Sequence, residues 1–261
     1  MTATAMLQAC DLRVEINGRA VLDGVSLRVE AGQMVGLIGH NGSGKSTLIR
    51  LLARHIPLDG GRCMLDGRPY EKWSATEFAR SVGFLPQQLP VADEISVREL
   101  VRFGRHPWRG LLGALTSKDH ALVDNAMKRA DVTVFADCAV DELSGGERQR
   151  VWLAMLLAQD TRLLLLDEPI SALDLAHQVQ VLSLLRTLAD QSGLGIVVVL
   201  HDINLAAQFC HRLVALRQGR LLVSDVAANL MRSDILHEIY GVSMSILRHP
   251  GADSLLAVVN S

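Results

Sequence analysis

Eight consecutive residues, Gly39-His40-Asn41-Gly42-Ser43-Gly44-Lys45-Ser46, fit the pattern G-x-x-x-x-G-K-[ST]. Glycines so spaced let backbone N–H groups close around phosphate oxygens at a helix start, where the helix dipole also favours an anion. Lys45 then reaches the β- and γ-phosphates of a nucleoside triphosphate, and the Ser46 hydroxyl, followed by Thr47, is placed to ligate Mg²⁺. His40 reads as a loop side chain within this segment. The chain has only four lysines, so a chance lysine in a Gly-rich turn explains the pattern poorly. Kinases and GTPases share it.

A second group of residues could act on the bound phosphates. Leu163-Leu164-Leu165-Leu166-Asp167-Glu168 sets two carboxylates at the end of an apolar strand, which is where open α/β sheets hold their ligands. Adjacent acids beside a leucine core are costly unless a cation or water meets them. Asp167 suits the Mg²⁺ shell, and Glu168 suits a general base orienting the attacking water. A third group is Leu143-Ser144-Gly145-Gly146-Glu147. Ser144 and Glu147 make a capping box, but a cap does not need two glycines that cost a helix about 1 kcal/mol each. Bare glycines at a helix start do admit a phosphate, so the chain carries two such anion-binding starts.

These residues need elements to hold them. Leu12, Val14 and Ile16 alternate with polar residues, as do Val25, Leu27 and Val29, and Asn17-Gly18 between them suits a tight hairpin. Val35–Ile38 reads as a buried strand feeding the phosphate loop and a helix over Lys45–Ala53. From about Asp93 to Asp141 the patterns are helical, with Arg98, Arg102, Arg105 and Arg109 spaced as a solvated basic helix face. Beyond it come a helix at Gly145–Ala158, a strand at Leu163–Leu166, a helix near Ala176–Asp190, a strand at Ile196–Leu200 and a helix after Asp202. Buried strands separated by helices indicate a parallel sheet covered on both faces.

Composition bounds the function. With 261 residues the chain suits one core domain with an inserted subdomain. A net charge of −2 offers no basic field for nucleic acid. No apolar run reaches the eighteen residues that a membrane-spanning helix needs. Cys10, Cys63, Cys138 and Cys210 are scattered and read as reduced, packed thiols.

In this order and spacing the motifs resemble those of ABC transporter ATP-binding subunits, over nearly the whole chain. Gly39–Ser46 resembles the Walker A motif, Leu143–Glu147 the signature, and Leu163–Glu168 Walker B. Ser171-Ala172-Leu173-Asp174 resembles the D-loop, and Gln87, rather than Gln88, the Q-loop glutamine. His201 resembles the switch histidine that contacts the γ-phosphate. The resemblance implies a P-loop NTPase (RecA-like) α/β core with a mostly parallel sheet, an N-terminal antiparallel β subdomain and an inserted α-helical subdomain. The ATP-binding domain would span residues 6–225, with helices inserted at about 93–155 and a small extension at 226–261. ATP and Mg²⁺ would be bound, the metal by Ser46, Gln87 and Asp167. Two subunits would pack head to tail, so that Ser144, Gly145 and Gly146 of one meet the γ-phosphate held by the other.

Segments within and beyond the motifs, at Gly39-His40-Asn41-Gly42, Leu85–Pro90, Gly104-Arg105-His106-Pro107-Trp108, Leu200–Asn204, Ile239-Tyr240-Gly241 and His249-Pro250, are similar to ATPases of iron–siderophore importers, the ferric hydroxamate system above all. Haem and cobalamin importers are near relatives. That resemblance implies an ATPase at the cytoplasmic face of a bacterial inner membrane, working with permease subunits and, through them, a periplasmic siderophore-binding protein. A soluble ABC ATPase of iron–sulfur assembly is the rival reading, and Glu168 argues against a binding-only module. Two positions depart from the pattern. Ile170 replaces the usual threonine after Glu-Pro, and Ile16 stands where the family carries a ring that stacks on adenine.

Overall fold

The computed structural model describes residues 5–110, 113–248 and 255–260. By compactness the chain divides into two units, Met1–Lys72 with Arg186–Ser261, and Trp73–Leu185.

The first unit opens with the antiparallel pair β1 (Ala5–Ile16) and β2 (Arg19–Glu30). Asn17 and Gly18 join them at φ 51° and 74°, the two left-handed residues that a type I′ turn requires. Leu12, Val14, Val25, Leu27 and Val29 are all buried, as their period of two predicts. The fully buried β3 (Met34–Ile38) runs through the phosphate loop into α1 (Lys45–Leu52), which Ala53 caps. Next, β4 (Gly60–Leu65) and the short β5 (Arg68–Pro69) extend the first pair into an antiparallel sheet of order β2-β1-β4-β5.

In the second unit α2 (Ala75–Ser81) leads into β6 (Val82–Leu85). A helical stretch follows: α3 (Val97–Phe103), α4 (His106–Arg109), α5 (Ser117–Arg129) and α6 (Gly145–Ala158). Capping boxes at Ser74/Glu77, Ser96/Glu99, Thr116/Asp119 and Ser144/Glu147 fix the starts of α2, α3, α5 and α6. The strand β7 (Leu163–Leu166) then pairs in parallel with β6, and α7 (Leu175–Ser192) follows.

The first unit resumes with β8 (Gly195–Val199), α8 (Ile203–Phe209), β9 (Arg212–Arg217) and β10 (Arg220–Asp225). β3 lies parallel between β8 and β9, and β10 runs antiparallel outside β9. Every residue of β3 and β8 is buried, the pattern of strands covered on both faces. The tail consists of α9 (Ala227–Leu230), α10 (Ser233–Tyr240) and a hairpin of β11 (Met244–Arg248) and β12 (Leu255–Val259). His249-Pro250 lies outside the described residues.

The arginine stripe is not the solvated helix face that its spacing suggests. Gly104 caps α3, and the position admits only glycine because a Cβ there would sit 2.2 Å from the Met155 carbonyl oxygen. Arg105, only 4% exposed, donates from Nε to the fully buried Asp119 at 2.9 Å and from a terminal nitrogen to the Ala158 carbonyl at 2.8 Å. Arg109 donates to the other Asp119 oxygen at 2.6 Å, and Arg98 pairs with Asp124. The Trp108 indole donates to the Gln159 carbonyl at 2.7 Å, with the Arg80 and Arg105 guanidinium groups over its ring. The Gly104–Trp108 segment therefore ties the end of α6 to α3 and α5.

Asp119→Ala leaves the Arg105 guanidinium buried without its carboxylate, a change expected to cost about 3–5 kcal/mol, measured as a lower denaturant midpoint. Burial raises the Asp119 carboxyl, but hydrogen bonds from Thr116, Arg109 and Arg105 outweigh it and hold the group well below the usual carboxylate range. A depressed folded-state pKa gives stability that is present above the unfolded value of about 3.9 and lost as pH falls through the folded one. Wild type should thus lose stability on acidification below about pH 4, and the variant should lose less.

Candidate active site

In the first unit, the phosphate loop is shaped by close approach. A Cβ at Gly39 would stand 2.3 Å from the Leu216 carbonyl oxygen, and one at Gly44 would stand 2.9 Å from a Leu22 methyl; both residues have positive φ, 139° and 103°. Only glycine fits there. Gly44 is the N-cap of α1 and makes no side-chain cap. The Lys45 ammonium, 5% exposed, donates to the Gly39 and His40 carbonyls at 2.8 and 3.0 Å. These bonds aim it along the loop. Ser43 Oγ is buried with no hydrogen-bond partner among the described residues, while Asn41 and Gly42 are exposed and Ser46 and Thr47 half-buried. His40 turns its ring onto the Asn41 carbonyl at 2.6 Å, a loop contact as expected. A loop that admits no Cβ at Gly39 or Gly44, an orphaned hydroxyl and a fixed ammonium together suit a polyphosphate. His201 follows β8 and is exposed.

In the second unit, four of the sequence motifs converge. Gln87, Asp93, Asp141, Gly145, Arg148 and Ala172 line one cavity of about 460 Å³, so the glutamine after β6, the first signature glycine and the segment after Glu168 share a space. Ser144 accepts from the Glu147 N–H at 3.3 Å, while the Glu147 carboxylate accepts from the Ser144 N–H at 2.9 Å and its hydroxyl at 2.6 Å. The hydroxyl bond and the N–H bond hold Glu147 below the usual carboxylate range. Gly146 packs near Leu173 and Ala172, but Gly145 has only the Ala172 methyl near it, at 3.9 Å. Gly145 is therefore the open face of this helix start.

Asp167 is buried, and its N–H donates to the Leu85 carbonyl at 2.9 Å. Glu168 sits half-buried at φ 55°, a left-handed backbone unusual for a side chain of its size. Its carbonyl accepts from Gln149 Nε2 and Ser171 Oγ, each at 3.1 Å. The Gln149 amide oxygen in turn accepts from the Ala172 N–H at 3.2 Å. Gln149, which no sequence motif marks, is 5% exposed and ties the signature helix to the Glu168 and Ala172 backbone. Flanked by Glu147, Arg148 and Arg150, it reads in the sequence as one more polar residue of the first turns of α6. Asp174 is exposed, and hydrogen bonds from the His177 backbone and ring hold it below the usual range. Ile170, the departure after Glu-Pro, is buried, so its apolar side chain suits its seat.

A model of the ABC transporter family matches residues 22–171. The chain is 44% identical to a hemin import ATP-binding protein of Streptomyces coelicolor, with 95% of this chain and 87% of that protein covered. The chain belongs to the ABC transporter family. It is an ATPase, since the ATP-binding proteins of this family hydrolyse ATP to power transport. An iron(3+)-hydroxamate import ATP-binding protein of Bacillus subtilis is 36% identical, covering 92% and 89% of the two chains. Among solved structures, an inward-facing metal-chelate type ABC transporter superposes at TM-score 0.85, with 25% identity and 98% of each chain covered. A dimeric ATP-binding cassette holding ADP and phosphate after hydrolysis superposes at 0.75, with 26% identity over 85% of this chain and 99% of that one. Cassettes of this family form dimers and work with membrane permeases. Among the described residues of this ABC ATPase no helix is long and apolar enough to cross a membrane.

Ile16, where the family places a ring, closes β1 opposite Arg19 and is 46% exposed. No Phe, Tyr or Trp precedes Tyr70. An aliphatic shelf shields one face of a base but reads no base edge, so ATP and GTP should bind alike. Base–aromatic stacking is worth about 1–3 kcal/mol, of which isoleucine recovers part. Ile16→Tyr is therefore expected to tighten ATP binding roughly 3- to 30-fold, read by nucleotide titration in a Glu168→Gln background. An unchanged affinity would place adenine elsewhere.

Proposed function

We propose that this ABC ATPase powers import of an iron(III)–siderophore, of hydroxamate type, through permease subunits at the cytoplasmic face of a bacterial inner membrane. A periplasmic siderophore-binding protein would feed the permease, and nucleic acid would have no part. The near full-length likeness to hemin and hydroxamate import ATPases carries the reading, because it extends beyond the catalytic motifs. Residues 6–225 would form the ATP-binding domain, with helices inserted at about 93–155 and the extension at 226–261.

Within the site, the Gly39–Ser46 loop and Lys45 would bind the phosphates, Ile16 would shield the base, and Glu168 would take the proton of the attacking water. Ser46, Asp167 and Gln87 would hold Mg²⁺; their hydroxyl, carboxylate and amide oxygens are the hard donors that this cation takes. When bound, the cation neutralises phosphate charge. His201 would contact the γ-phosphate, and Ser144, Gly145, Gly146 and Asp174 would face it from a second copy of the chain.

Haem import is the second reading, favoured by the 44% identity to the hemin protein. Disruption of the gene under iron limitation separates the two. Growth on a ferric hydroxamate should fail, return with the wild-type gene and stay absent with Glu168→Gln, while growth on haemin persists. Loss on haemin alone would transfer the assignment to haem.

A further inference from the structure

The tail beyond β10 carries no ATPase motif, yet it grips the segment next to His201. The Leu200 N–H is fixed by the Leu37 carbonyl at 3.1 Å. Asp202 caps α8, accepting from the Asn204 and Leu205 N–H groups at 2.7 and 3.0 Å. His201 thus bridges two anchored neighbours. Asn204, in the first turn of α8, turns its amide to the tail. Its Nδ2 donates to the Ala257 carbonyl at 3.1 Å, and its Oδ1 accepts from the Ala257 N–H at 2.8 Å. One side chain therefore satisfies both backbone groups of a β12 residue that is 8% exposed, as a neighbouring strand would. Tyr240, the last residue of α10, has a buried hydroxyl with no hydrogen-bond partner among the described residues. Burial and, second, the negative charge of Asp202 raise its pKa, so this tail ring also stands near the His201–Asn204 segment.

We propose that Asn204 is a positioning residue for hydrolysis, through which the β11–β12 hairpin sets the place of His201. The proposal rests on the reading of His201 as the γ-phosphate contact. The phosphate loop and Lys45 bind nucleotide without the hairpin, so its loss misplaces the imidazole and leaves affinity alone.

The test is steady-state hydrolysis by Asn204→Ala, by a chain ending at Gly241, and by each combined with His201→Ala. Asn204→Ala is expected to lower kcat roughly 5- to 20-fold, within the range that a misplaced group costs, with KM for ATP changed less than about twofold. The shortened chain should lose as much, and adding Asn204→Ala to it should cost nothing more. In the His201→Ala background neither change should lower kcat further, because both act through the imidazole. Unfolding temperatures check that the variants fold; where one does not, the other carries the comparison. An undiminished kcat in Asn204→Ala beside a large loss in His201→Ala overturns the role of the tail alone. So does an equal loss of Asn204→Ala with and without His201. Wild-type turnover in His201→Ala instead overturns the role of the histidine.

Discussion

Lys45→Ala is expected to remove most ATP binding, while Glu168→Gln keeps binding and stalls turnover. In the proposed site the two side chains would meet different atoms, a phosphate oxygen and the attacking water. The Lys45 ammonium is buried, and the Gly39 and His40 carbonyls hold it within the loop. Held there, it would reach a phosphate without the entropy cost of an unrestrained lysine. A charge-assisted hydrogen bond is worth about 1.5–3 kcal/mol, so losing one weakens ATP roughly 10- to 150-fold. The loop carbonyls that it bridged come apart as well. Glu168 is held from behind, its carbonyl gripped by Gln149 and Ser171, and a glutamine keeps that backbone arrangement. What it would lose is proton acceptance, typically a factor of about 10²–10⁴. Glu168→Gln should accumulate an ATP-bound dimer, visible by size-exclusion chromatography. Near-normal turnover in that variant would take Glu168 out of the role of base.

Much of this arrangement is legible in the sequence, for reasons that differ between elements. The β1–β2 hairpin announces itself through alternation and Asn17-Gly18. The bounds Gly145–Ala158 and Leu163–Leu166 match the structure because a capping box opens the helix and turn residues bracket the strand. Other elements leave weaker traces. Gly60 and Gly61 interrupt any alternation in β4, β5 is only two residues long, and β6 is four residues with Gly83 among them. Only Phe78 is buried in α2, so that helix has no apolar stripe to read. Arg105 resembles a surface residue until Asp119, fourteen positions on, is folded against it. Gln149 and Asn204 matter for the same reason: each bonds to backbone far away along the chain, and no local pattern encodes such a partner.

Ser144→Arg is expected to abolish hydrolysis in a uniform population of subunits while leaving each subunit folded and able to bind ATP. Ser144 and Gly145 are exposed, with Gly145 open to all but the Ala172 methyl, so an arginine side chain has room within its own subunit. The direct cost is the cap, since Ser144 bonds the Glu147 N–H, and removing an N-cap costs about 1 kcal/mol. Such a loss alone would barely change turnover. If the signature helix start instead closes on the γ-phosphate of a second copy, a guanidinium wedged there keeps the two copies apart and activity should fall at least 100-fold. Symmetry makes the idea testable. In a head-to-tail dimer each site takes its phosphate loop from one subunit and its signature from the other. A subunit with Lys45→Ala paired with one carrying Ser144→Arg has both defects in one site and neither in the other. Equal mixing makes about half the dimers mixed, each with one intact site, so roughly a quarter of wild-type activity should return if the sites work independently. Neither variant alone should show it. Normal turnover by Ser144→Arg on its own would mean that the signature serine does not meet nucleotide across a dimer, and its capping box would then be its whole role.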